Sequence, residues 1–81
     1  MNQMEQDVIR ATERLGGMCR QLTYFRLGTG KVIAVVTVAE GDPAATEEEA
    51  LRALAKHLKT MLDSNIDHDQ VFRERLEEYG G

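Results

Sequence analysis

Residues 31–39, Lys-Val-Ile-Ala-Val-Val-Thr-Val-Ala, constrain this chain more than any other segment, because they are apolar on both faces of an extended strand. Val32, Ala34, Val36 and Val38 fall on one face, Ile33, Val35 and Thr37 on the other. A strand of this kind asks for cover on both sides. Residues 18–27 supply a pairing partner. Arg20, Leu22, Tyr24 and Arg26 alternate there with Cys19, Gln21, Thr23, Phe25 and Leu27, and the polar content predicts an edge strand. Leu27-Gly28-Thr29-Gly30 reads as the hairpin turn, through either a two-residue loop at Gly28-Thr29 or a three-residue loop that includes Gly30. The two differ by one step of register, which exchanges the faces. A lone hairpin is only marginally stable in water, so helices, a second copy of the chain or both must shelter it.

The flanking sequence supplies helices. Met1, Met4, Val8, Ala11 and Leu15 recur at spacings of three and four, predicting an amphipathic helix over about 2–15 that Gly16-Gly17 ends. After a turn at Glu40-Gly41-Asp42-Pro43, Thr46 and Glu49 stand at capping-box spacing, and three glutamates favour the positive end of a helix dipole. Leu51, Leu54, Ala55, Leu58, Met61 and Leu62 continue that helix over about 46–63, with Glu48 four residues before Arg52 as a favourable pair. A last helix over about 67–79 starts near Asp67, with Gln70 three residues on, and carries Phe72, Leu76 and Tyr79. Gly80-Gly81 reads as a frayed tail rather than the Gly-Gly ending of ubiquitin-like modifiers, whose order begins with a hairpin. The expected fold is therefore α+β, in the order α-β-β-α-α, as a single domain over 1–81.

Size makes self-association attractive. A chain of 81 residues holds one core, and cores this small are often reinforced by disulfides, metals or oligomerisation. Cys19 is the only cysteine, and clustered zinc ligands are absent from the sequence. Burying Val32, Ile33, Val35, Val36 and Val38 contributes on the order of 1.5–3 kcal/mol each, a large share of the roughly 5–10 kcal/mol that holds such a domain together. The expectation is a homodimer in which two hairpins form a four-stranded sheet, with those five residues in the core or between subunits. No apolar run approaches the roughly 18 residues of a membrane span. The first residues, Met-Asn-Gln-Met-Glu-Gln-Asp, lack the basic and apolar regions of a signal peptide, so a cytoplasmic protein is expected.

Candidate chemistry is sparse. Cys19 with His57 or His68 makes a nucleophile–base pair only on paper, and free cysteine is usually buried. Asp63, Asp67, His68 and Asp69 offer ligand atoms without the glycine and terminal glutamate of a calcium loop, and read as helix caps. Gly28-Thr29-Gly30-Lys31 has the letters of a phosphate loop, but it joins strand to strand. The expectation is a non-enzyme with no catalytic residue, metal or cofactor.

Charge is distributed unevenly. The net charge of −4 divides into +2 over residues 1–31 and −6 over residues 32–81, an asymmetry suited to electrostatic docking. The leading reading is a small protein-interaction module: a regulator, adaptor or inhibitor of a larger protein. Its size and acidity resemble those of phage-encoded inhibitors of bacterial defence or regulatory proteins. Arg20, Leu22, Tyr24 and Arg26 are the expected contact strip, joined by Glu74, Glu77 and Glu78. The alternative is nucleic-acid binding by Arg20, Tyr24 and Arg26, with Lys31, Arg10 and Arg14 nearby. The helix–hairpin–helix outline is similar to part of a double-stranded-RNA-binding domain. That family implies a third strand, not read here, and lysines on phosphate where this chain carries Glu47-Glu48-Glu49.

Overall fold

The computed structural model describes residues 2–16, 21–64 and 70–80. Three helices, α1 (Gln3–Arg14), α2 (Glu47–Ser64) and α3 (Gln70–Gly80), accompany three strands, β1 (Thr23–Arg26), β2 (Val32–Val36) and β3 (Ala39–Glu40). The fold is α+β, and the antiparallel sheet has the order β1-β2-β3. No helix among the described residues is long and apolar enough to cross a membrane.

The hairpin takes the three-residue loop. Gly30 N–H donates to Leu27 O at 3.0 Å and Leu27 N–H to Lys31 O at 2.7 Å. Gly30 sits at φ +89°, a conformation glycine adopts without the steric cost of a Cβ. This loop sets Thr23 opposite Val35, Tyr24 opposite Ala34, Phe25 opposite Ile33 and Arg26 opposite Val32.

The third strand corrects the expected order to α-β-β-β-α-α. Thr37-Val38 forms a two-residue turn without the glycine or asparagine that usually marks one. Ala39 then pairs with Val36 and Glu40 with Val35. Beyond them, Gly41 N–H donates to Ala34 O at 2.9 Å, while Val32 and Ala44 exchange bonds of 2.8 and 2.9 Å. The register steps by one residue between Glu40 and Ala44, so the supposed turn at Asp42-Pro43 is a bulge along the outer side of β2. Proline is tolerated there because an edge position needs no outward N–H.

One face of the sheet is packed. Val32, Ala34 and Val36 are buried with Leu51, Leu54, Leu58 and Leu62 of α2, Val8 and Ala11 of α1, and Phe72 and Leu76 of α3. The caps that fix these helices are local. Asn2 and Glu5 form a reciprocal capping box on α1, and Glu49 N–H donates to Thr46 Oγ1 at 3.2 Å on α2. The expected Glu48–Arg52 pair is present at 3.2 Å. The expected start of the last helix at Asp67 lies outside the described residues. Its expected frayed end does not hold at Gly80, which is helical and rests against Lys56, where an added Cβ would come within 2.8 Å of that residue's Cβ.

Asp7 is the least expected core residue. Only 1% exposed, it lies one position before Val8 on the buried stripe of α1. Its carboxylate accepts from Tyr79 Oη at 2.7 Å, Arg75 Nη2 at 2.9 Å and Gln3 Nε2 at 3.1 Å. The first helix is thereby tied to the last. Arg14 and Arg75 also lie 4.5 and 5.8 Å from the centroid of the Phe72 ring.

Asp7→Ala removes the acceptor shared by three donors and is expected to cost about 2–3 kcal/mol, read by urea unfolding. Gly41→Ala is expected to cost about 1–3 kcal/mol in the same measurement. Its Cβ would meet Leu54 N at 2.7 Å and Leu54 Cα at 3.0 Å, backbone atoms that cannot rotate away.

Candidate functional site

The face of the sheet opposite the helices is the most distinctive surface. Register places Thr23, Phe25, Ile33, Val35 and Glu40 on it. Phe25 is 52% exposed and Ile33 and Val35 are half-buried, and among the described residues none of the three packs against the core. Among the described residues no helix covers this face. Of the five residues expected in the core or at a dimer boundary, Val32 and Val36 are buried, Val38 packs against the core, and Ile33 and Val35 point the other way.

β1 is the outer strand and is hydrogen-bonded on one side, to β2. The ladder fixes which of its peptide groups look outward. Leu27 bonds to Lys31, while Val32 spends both of its groups on Ala44. Antiparallel pairs alternate between bonded and non-bonded, so Thr23 and Phe25 bond to β2, and Tyr24 and Arg26 turn N–H and C=O toward the outer edge, which no strand occupies among the described residues.

The predicted contact strip is not a uniform surface. Arg20 lies outside the described residues. Leu22 and Tyr24 are half-buried and pack against the core, on the helix side of the sheet. Arg26 is exposed and donates from Nη1 to Gly30 O at 3.0 Å. Arg14, part of the expected basic grouping, is instead stacked on Phe72. The strip missed Phe25, whose signal was its place opposite Ile33 once the longer loop is chosen.

A groove of about 440 Å³ opens beside Tyr24, floored by Met4 and Leu51 and rimmed by Glu5, Glu47 and Glu48. Tyr24 Oη donates to Glu5 Oε2 at 3.3 Å. Burial, then the neighbouring Glu5 carboxylate, pushes the Tyr24 hydroxyl up to about 12. Burial and the bond to Asp7 raise Tyr79 in the same direction. At the other end of the molecule, Asp63 bridges the helices, accepting from Lys59 Nζ at 2.7 Å and Arg73 Nη1 at 2.9 Å. The bond from Lys59 lowers the Asp63 carboxyl below its ordinary range. The cleft there, which Glu74 and Glu77 also line, is held by these opposed charges.

The other candidates stay dispersed. His57 is exposed, with Nε2 3.4 Å from Asp42 Oδ1. Cys19, Asp67, His68 and Asp69 lie outside the described residues. Among the described residues no three His, Cys, Asp or Glu side chains gather as metal ligands would. Gly28–Lys31 is the hairpin loop, not the entry to a helix. Neither known protein families, curated proteins nor solved structures provide a match to this chain.

The raised tyrosines set a pH dependence. A group whose folded value lies above its unfolded one stabilises fully below the unfolded value, near 10, and loses that contribution as pH rises through the folded value. Stability is therefore expected to fall as pH rises from 10 toward about 12, in part through Tyr24. In alkaline urea titrations Tyr24→Phe should flatten this decline; an unchanged slope would count against the assignment.

Proposed function

We propose that this chain is a small non-catalytic protein-interaction module, acting as a regulator, adaptor or inhibitor of a larger protein and working as a homodimer. The observation that carries the reading is the open sheet face. An isoleucine and a valine of the central strand, with a half-exposed phenylalanine beside them, stand away from the core. Ile33 and Val35 are half-buried and Phe25 is exposed, so the three form a partly open apolar face of the kind that serves as an interaction site. With β3 present, a sheet continued across two copies would have six strands rather than four. The proposal places the protein in the cytosol, for which the support is a composition with one cysteine and 30% charged residues.

Nucleic-acid binding through Arg20, Tyr24 and Arg26 is the less favoured reading. Tyr24 is engaged with Glu5, Arg14 is stacked on Phe72, and α2 opens on three glutamates. Carboxylates at that position repel phosphate.

The test uses tagged wild-type protein and an Ile33→Lys variant as baits in extract of the native host, with and without nuclease. The expected result is a protein retained by the wild type, insensitive to nuclease and lost from Ile33→Lys, with thermal unfolding of the two baits alike. Retention unchanged by Ile33→Lys, or abolished by nuclease, would overturn the reading.

A further inference from the structure

The free edge of β1 presents the peptide groups of Tyr24 and Arg26, two residues of the same parity. We propose that β1 pairs antiparallel with β1 of a second copy, about a two-fold axis at Phe25, and that each Arg26 enters the other copy's groove of Glu5, Glu47 and Glu48. The proposal rests on the reading of the chain as a self-pairing module and adds its edge, register and ion pair.

Three features converge on this arrangement. First, an axis at Phe25 sets Tyr24 opposite the second copy's Arg26. Both residues turn N–H and C=O outward, so they can exchange the two bonds of a hydrogen-bonded pair. Second, the same axis sets Phe25 against Phe25 in a non-bonded pair, the type in which side chains approach more closely. The 52% of Phe25 now in water is then covered in part, and the open faces of both copies become one surface. Third, the charges match. Arg26 shares the helix-side face with Tyr24 but remains exposed, and its Nη1 donates to Gly30 O in the hairpin loop. Opposite Tyr24 it would stand beside the groove whose rim is acidic and whose floor, Met4 and Leu51, suits the aliphatic stem of an arginine. Glu5 and Glu47 already act on the Tyr24 hydroxyl, which locates their charge next to the place Arg26 would occupy. A two-fold axis makes this contact twice, so one complementary pair of features serves both copies.

The test combines light scattering over a dilution series with amide exchange. The wild type is expected to dimerise, and the Tyr24 and Arg26 amides are expected to exchange more slowly as concentration rises. Arg26→Glu and the double variant Glu47→Lys/Glu48→Lys should each weaken dimerisation about tenfold or more, and an equal mixture of the two should restore it, because both contacts are then complementary. Phe25→Ser, at an exposed position, should weaken the dimer without unfolding the chain. A dimer whose Tyr24 and Arg26 amides exchange at the dilute rate, or one indifferent to Arg26→Glu and Phe25→Ser, would overturn the edge pairing while leaving self-association intact. A monomer at every concentration would overturn both, and leave partner capture through Ile33 standing on its own test.

Discussion

α2 packs against β2, β3, α1 and α3, so the burial of its leucines is the contact from which the rest of the architecture follows. Leu51, Leu54 and Leu58 meet the inner residues of β2, and the same helix supports Phe72 and Leu76 of α3. Gly41 makes the close approach possible, since the β3 side of the sheet touches the α2 backbone where any Cβ would intrude. Because α1 and α3 pack on α2 and on one another, they add to the inner layer and do not reach the far face of the sheet. The apolar content of β2 is thus split, with Val32, Ala34 and Val36 dry and Ile33 and Val35 half-buried.

Polar contacts hold this inner layer in register. Asp7 is a buried carboxylate whose three donors come from its own helix and from α3, and it joins segments about seventy positions apart in the sequence. The Lys59–Asp63–Arg73 cluster does the same work at the surface between α2 and α3, where solvent screens it and its value is smaller. Specific polar anchoring sits at one end and dispersed ion pairs at the other, while the sheet side is tied to the helices through Tyr24 on Glu5 and through His57 beside Asp42.

Much of this was legible in the sequence. The helices at 2–15 and 46–63 followed from apolar spacing and caps, and the observed bounds agree within a residue or so. The faces of β2 followed from strict alternation. Two things were not legible. The turn at Thr37-Val38 carries no residue that favours it, and Pro43 argued for a break where the chain forms a bulge, so β3 went unseen. The hairpin loop was ambiguous between two lengths, and that ambiguity decides the site. A two-residue loop would place Phe25 opposite Val32, on the helix side; the three-residue loop with Gly30 at φ +89° places it opposite Ile33, in the open. Asp7 escaped notice because a carboxylate one step from Val8 looks solvated unless its donors, far along the chain, are known.

The kink at Asp42-Pro43 has a consequence for how copies can combine. A sheet with two regular margins can add neighbours on both sides without limit, which is the route to fibres. Here one margin is irregular and carries an imino acid that offers no donor, which leaves β1 as the regular margin among the described residues. Joining two such margins uses up both of them. Growth through such an edge would be self-limiting, so that a chain with greasy strands would form a small, discrete particle instead of a polymer.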